Sequence, residues 1–122
     1  MKNLSILIVD DEQYICDFLN EFLSEKGYNV TTVSSGNEAI NLIKRKRFDL
    51  VLCDMVMPET SGIAIIKALD ILDERPKVGV ITGWSSKIGK YNYEGLNADF
   101  ILTKPFDLSE LSKEIDFLFP AN

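Results

Sequence analysis

The chain has 122 residues, 46% of them hydrophobic, a formal net charge of −6, two cysteines and no histidine. This length fits one domain that folds around an ordinary core without a disulfide or metal staple. The lack of histidine excludes Ser-His-Asp and Cys-His nucleophile pairs and His-ligated metal sites, and the acidic balance argues against direct binding to nucleic acid or to an anionic membrane.

The first half of the chain alternates short apolar runs with longer amphipathic ones. Residues 4–9 are nearly all apolar and predict a strand that is buried on both faces. A helix is predicted over 12–26 and a second strand over 29–33. Ser35 and Glu38 have capping-box spacing and open a second helix. One stripe of the first helix carries Ile15, Phe18, Leu19, Phe22 and Leu23.

The second half continues the same alternation. Strands are predicted over 49–53, 78–82 and 98–102. Helices are predicted over 63–74, over 108–119 after a capping-box pattern at Asp107, and, with poor apolar periodicity, over 85–95. Five strand–helix units in one domain predict an α/β fold, in which a five-stranded parallel sheet is flanked by five helices in the doubly wound, flavodoxin-like (βα)5 arrangement. We expect residues 1–122 to form a single domain.

Polar residues follow four of the predicted strands. Asp10 and Asp11 follow the first strand, Asp54 the third, Thr82 ends the fourth, and Lys104 follows the fifth. Ligands of parallel α/β sheets bind at the carboxyl ends of the strands, so these side chains should converge. Carboxylates about 5 Å apart repel by roughly 3 kcal/mol per pair at an effective dielectric constant near 20. A divalent cation such as Mg²⁺ would offset that repulsion.

A single aspartate after a strand is usually a helix cap or a turn residue, and a single Lys-Pro is usually a loop. The combination at four strand ends is therefore the informative feature. A cation, a lysine and a hydroxyl around a carboxylate are the groups that phosphoryl transfer requires. The sequence thus predicts a phosphoryl-accepting carboxylate.

Four segments carry a family resemblance. They are Ile-Leu-Ile-Val-Asp-Asp-Glu at 6–12, Asp-Met-Val-Met-Pro at 54–58 followed by Gly62, Ile-Thr-Gly at 81–83, and Thr-Lys-Pro-Phe at 103–106. Together they resemble the receiver domain of bacterial two-component response regulators, the CheY-like fold, over nearly the whole chain. The resemblance implies a signalling domain and no output domain in these residues. It implies no enzyme beyond limited self-phosphorylation and autodephosphorylation.

The resemblance also implies roles for particular residues. Asp54 matches the phosphoacceptor, and Thr82 matches the hydroxyl that approaches the phosphoryl group. Lys104 matches the lysine that the family places in the same site. The bond between Lys104 and Pro105 matches a peptide bond that is usually cis.

The resemblance further implies a metal site and partners. Asp10, Asp11, Asp54 and the backbone carbonyl of Val56 match the ligands of Mg²⁺ (or Mn²⁺). The phosphoryl donor would be a histidine kinase or a histidine phosphotransfer protein, and phosphorylation would change binding to a downstream protein. The domain would be cytoplasmic and would not contact nucleic acid or membrane. Homodimerisation, which is common among similar domains, is a further expectation.

The chain departs from the family at Ile101, where an aromatic residue is usual, and at the atypical segment that includes Trp84. A phosphorylation-independent binding module is the alternative function. A flavin-binding flavodoxin-like protein would need a phosphate loop where Asp10 and Asp11 stand. A haloacid-type phosphatase would need an acid where Val56 stands. Cys16 and Cys53 are expected to be reduced, buried thiols.

Overall fold

The computed structural model describes residues 3–55, 62–83 and 97–120. The elements in these residues follow the predicted alternation of strands and helices. In chain order they are β1 Ser5–Val9, α1 Gln13–Glu25, β2 Asn29–Val33, α2 Gly36–Arg45, β3 Leu50–Asp54, α3 Gly62–Asp70, β4 Lys77–Thr82, β5 Phe100–Thr103 and α4 Leu108–Leu118.

The five strands form one parallel sheet in the order β2-β1-β3-β4-β5. This arrangement confirms the predicted doubly wound fold. Four of the five predicted helices are present in the described residues, and the helix predicted over 85–95 lies outside them. Because β1 lies between β2 and β3, the chain reverses its direction of travel across the sheet at β1 and β3. Ligands of such sheets bind at this point.

The two faces of the sheet are covered by different helices, and side chains of each strand alternate between them. In β1, Leu7 and Val9 pack on the face covered by α2 and α3, whereas Ile6 and Ile8 pack on the face covered by α1 and α4. All five residues of β3 are buried. This explains the continuous apolar runs of the sequence, since a central strand has no solvent face.

Two helix starts match the predicted capping patterns. The Ser35 hydroxyl accepts a hydrogen bond from the Glu38 backbone N–H at 3.2 Å. At the start of α4, the Asp107 backbone N–H donates to the Glu110 carboxylate at 3.0 Å. Each contact satisfies a backbone N–H group that a helix start leaves without an intrahelical partner.

The predicted extent of the third helix was wrong at its C-terminal end. The prediction extended to residue 74, but α3 ends at Asp70. The Asp70 carboxylate pairs with the Arg75 guanidinium at 2.8 Å and accepts from the Asn97 side-chain amide at 3.2 Å. These contacts hold the chain in a turn that leads into β4. Apolar periodicity could not reveal them, because Asn97 is distant in sequence.

The described helices are all too short or too polar to cross a lipid bilayer.

Candidate phosphoacceptor and metal site

Two buried carboxylates lie where the chain reverses across the sheet. Asp10 directly follows β1 and Asp54 is the last residue of the neighbouring β3, and they are only 1% and 4% exposed. The Asp10 carboxylate accepts a hydrogen bond from the Glu12 backbone N–H at 2.9 Å. Charged carboxylates are rarely this buried unless a partner compensates them. The site therefore needs a cation.

Lys104 supplies a positive charge from the far edge of the sheet. Its ammonium Nζ donates to Asp10 Oδ2 at 3.0 Å and to Glu12 Oε1 at 2.8 Å, and lies 3.5 Å from Asp54 Oδ2. The Lys104 backbone N–H donates to the Thr82 carbonyl at 2.6 Å, which fixes the start of the loop after β5. The Lys104–Pro105 peptide bond is cis, as predicted.

Glu12 is a site residue that the sequence analysis missed. It stands at the N-cap position of α1, yet its side chain makes no capping hydrogen bond. The carboxylate instead accepts from Lys104, and its second oxygen accepts from the Tyr14 hydroxyl at 3.2 Å. A third acidic residue directly after Asp10 and Asp11 was the available signal. The sequence could not show its contact with Lys104, because that contact depends on where β5 lies in the sheet.

The ionisation of these groups follows from their contacts. Burial alone would lower the pKa of Lys104, but hydrogen bonds to Glu12 and Asp10 and the charge of Asp54 outweigh it and raise that pKa. The hydrogen bond from Lys104 lowers the pKa of the Glu12 carboxyl. The Lys104–Glu12 pair is therefore fully charged at neutral pH.

The remaining predicted site residues take different positions. Thr82, the last residue of β4, is 3% exposed, and it directly follows Ile81, which is the register partner of Asp54. Asp11 is exposed, and it is not one of the described carboxylates that cluster here. Val56 lies outside the described residues.

The carboxylates of Asp10, Glu12 and Asp54 fit a hard divalent cation. One oxygen from each lies within 4.8 Å of the others. Three carboxylates and one ammonium leave a net charge of −2, which one divalent ion would neutralise. Oxygen-only donors with several carboxylates are the set that Mg²⁺ prefers. The donor chemistry thus agrees with the prediction of Mg²⁺.

The two cysteines are free and buried, as predicted. The Cys53 thiol donates to the Asp54 carbonyl at 3.4 Å, and the Cys16 thiol to the Asp10 carbonyl at 3.3 Å. Burial, with the nearby charge of Asp10, raises the pKa of Cys16 to about 11. Burial and Asp54 raise the pKa of Cys53 as well. Both thiols are structural, because the nucleophilic thiolate is disfavoured.

An apolar groove of about 720 Å³ adjoins Lys104. Tyr14 and Phe18 of α1 and Phe106 of the loop after β5 line it. Phe18 belongs to the predicted apolar stripe of α1, but it is 52% exposed, and Tyr14 is 67% exposed. Exposed aromatic side chains grouped beside a buried site are typical of a surface that contacts another protein.

The fold and the site together define a class of protein. A doubly wound parallel sheet with an acidic pocket, a hydroxyl and a lysine at its carboxyl end agrees with a phosphoryl-accepting signalling domain. The model of the response regulator receiver domain family matches residues 6–116. The chain therefore belongs to the receiver domain family of two-component response regulators. Receiver domains are signalling domains that bind Mg²⁺ in an acidic site and interact with histidine kinases or phosphotransfer proteins.

Individual relatives agree with this assignment. The chain is 33% identical to sporulation initiation phosphotransferase F of Bacillus subtilis over 98% of this chain and 97% of that protein. It is 35% identical to the transcriptional regulatory protein ZraR of Escherichia coli, over 93% of this chain but 26% of that protein. The chain thus spans nearly the whole length of the first of these relatives and about a quarter of the length of the second.

Solved structures show the same fold. Chemotaxis protein CheY4 of Vibrio cholerae superimposes with a TM-score of 0.87 at 27% identity, covering 97% of this chain and all of that chain. The response regulator TrrA of Thermotoga maritima, solved in complex with Mg²⁺ and BeF, superimposes with a TM-score of 0.83 at 30% identity, covering 95% and 99% of the two chains.

Proposed function

We propose that this chain accepts a phosphoryl group on Asp54, in a reaction that requires Mg²⁺, and that phosphorylation changes its binding to a partner protein. The donor is a phosphohistidine of a histidine kinase or a histidine phosphotransfer protein. One observation carries the proposal: Asp54 is buried at the end of a central strand, 3.5 Å from the Lys104 ammonium and beside two further carboxylates.

The chemistry follows from the groups in the pocket. An Asp54 carboxylate oxygen attacks the phosphorus atom, the P–N bond to the donor imidazole breaks, and the bonding electron pair returns to the imidazole nitrogen. Lys104 then pairs with a phosphoryl oxygen and Thr82 donates a hydrogen bond to another. Hydrolysis of the resulting acyl phosphate by water restores Asp54. The domain therefore promotes its own modification without being an enzyme for a separate substrate.

The metal fits the same pocket. Asp10 and Asp54 would hold Mg²⁺, with Asp11 and the carbonyl of Val56 as the further ligands that the family resemblance implies. When bound, Mg²⁺ neutralises negative charge on the transferring phosphoryl group. The Asp10 carboxylate would be oriented for this role, because its Oδ1 accepts from the Glu12 backbone N–H and its Oδ2 from Lys104.

The donor protein needs a surface from which its histidine reaches Asp54. The groove formed by Tyr14, Phe18 and Phe106 supports this role, because it opens beside Lys104 and offers aromatic contact area. Exposed aromatic residues contribute strongly to protein interfaces. The cytoplasm is the inferred location, since both thiols are free and the donor is a kinase. A single domain over 1–122, a downstream protein target and homodimerisation remain predictions.

Intact-mass spectrometry tests the proposal. The protein is incubated with acetyl phosphate and Mg²⁺, and we expect a gain of one phosphoryl group that EDTA prevents. Asp54→Asn should abolish the gain, and the matched control Asp116→Asn, which alters an exposed aspartate of α4, should retain it. Unchanged modification of the Asp54→Asn protein would rule the proposal out. A wild-type protein that is never modified but still binds its partner would support the phosphorylation-independent alternative.

A further inference from the structure

Lys104 is held more closely by Glu12 than by the phosphoacceptor. Its Nζ lies 2.8 Å from Glu12 Oε1 and 3.0 Å from Asp10 Oδ2, but 3.5 Å from Asp54 Oδ2. An ammonium has three N–H donors. Two of them are committed to Glu12 and Asp10, so Asp54 receives the weakest of the three contacts.

The Glu12 side chain is turned toward Lys104 and makes no capping hydrogen bond to its own helix. One oxygen of its carboxylate accepts from the Lys104 ammonium at 2.8 Å. Its second carboxylate oxygen is held by the Tyr14 hydroxyl. Both oxygens of the Glu12 carboxylate therefore have a partner, and one of these partners is Lys104.

The two carboxylates that hold Lys104 differ in what they lose when it moves. The side chain of Asp10 is 1% exposed, so without the ammonium it would be a buried charge with less compensation. The side chain of Glu12 is 42% exposed and can be solvated by water instead. A phosphoryl group on Asp54 brings new oxygens toward Lys104. Glu12 is therefore the partner that Lys104 gives up.

We propose that Glu12 is a positioning residue that competes with the phosphorylated Asp54 for Lys104. This inference rests on the proposed function. In the unmodified protein Glu12 holds the ammonium on the α1 side of the pocket. Its release lets Lys104 pair with the phosphoryl oxygens, so Glu12 lowers the affinity of the pocket for a phosphoryl group. The Tyr14 hydroxyl holds Glu12 in the competing orientation through a hydrogen bond of 3.2 Å.

The test uses beryllofluoride as the probe for a phosphoryl group. Binding is measured by ¹⁹F NMR at saturating Mg²⁺ in the full chain, with Glu12→Gln, Tyr14→Phe and the matched control Glu21→Gln, an exposed glutamate of α1. We expect Glu12→Gln to tighten binding roughly two- to five-fold, the effect of removing a partly exposed ion pair. Tyr14→Phe should shift the affinity in the same direction by less, and Glu21→Gln should leave it unchanged.

A second measurement separates competition for Lys104 from simple charge repulsion. The ¹⁵Nζ resonance of Lys104 should move on Glu12→Gln, before beryllofluoride is added, and should not move on Glu21→Gln. Tighter binding with an unmoved Lys104 resonance would show that Glu12 only repels the anion, and would overturn the inference. Unchanged or weaker binding in Glu12→Gln would overturn it too, the latter because Glu12 would then be needed as a metal ligand.

The same titration keeps the two proposals apart. If wild-type protein binds no beryllofluoride with Mg²⁺, the proposed phosphoacceptor function fails. If wild-type protein binds it, Asp54→Asn does not, and Glu12→Gln matches Glu21→Gln, only the role of Glu12 fails.

Discussion

Replacing Lys104 with methionine removes the ammonium that three carboxylates share while keeping a side chain of similar length. One oxygen of each carboxylate lies within 4.8 Å of the others. Two unit charges at that separation repel by about 3.5 kcal/mol at an effective dielectric constant of 20. This repulsion is present with or without Lys104, and in the wild type it is offset by the attraction of the ammonium to Asp10 at 3.0 Å and to Asp54 at 3.5 Å. Glu12 can turn toward water when the ammonium is gone, but Asp10 and Asp54 are then left as buried charges without that compensation. We expect Lys104→Met to lower the free energy of unfolding by about 3 kcal/mol at pH 7 without metal.

The assay is urea unfolding followed by far-UV circular dichroism in EDTA. Lys113→Met is the matched control, because Lys113 is exposed on α4 and its loss changes the net charge equally. Mg²⁺ should stabilise Lys104→Met more than wild type, since the local charge becomes −3 instead of −2. Equal stabilities for Lys104→Met and Lys113→Met, or equal gains from Mg²⁺, would refute this electrostatic reasoning.

Three further predictions concern packing and ionisation. A Cβ at Gly79 would lie 2.2 Å from the ζ carbon of the Phe100 ring, so Gly79→Ala should lower the unfolding free energy by about 1–3 kcal/mol, measured by urea unfolding. The hydrogen bond from Lys104 lowers the pKa of Glu12, so the stabilisation that Glu12 contributes is present above its ordinary pKa of 4.5 and is lost as the pH falls through its lower folded value. The difference in unfolding free energy between wild type and Glu12→Gln should therefore vanish on acidification. A difference that stays constant with pH would contradict this. Because burial raises the pKa of Cys53, its thiol should react with Ellman's reagent at pH 8 only after unfolding, and fast reaction of folded protein would argue against that burial.

Much of the fold could be predicted because its determinants are local in sequence. A central strand that is buried on both faces must be apolar throughout, as 50–54 is up to Asp54. A chain of strand–helix units must pair its strands in parallel, so the polar residues after the strands must meet at one edge of the sheet. Asp10, Asp54, Thr82 and Lys104 were found in this way, and the structure brings Asp10, Asp54 and Lys104 together.

The tertiary structure decided the features that depend on contacts between residues far apart in the sequence. The sequence pattern predicted that α3 extends to residue 74. The helix ends at Asp70, whose carboxylate contacts Arg75 and Asn97. Glu12 lies 92 residues from Lys104 in sequence, and no periodicity connects them. The sequence by itself determined which charged groups this protein gathers at the edge of its sheet. Only the packing of β5 beside β4 determined which carboxylate holds the lysine, because an ion pair depends on the distance between its atoms in the folded chain.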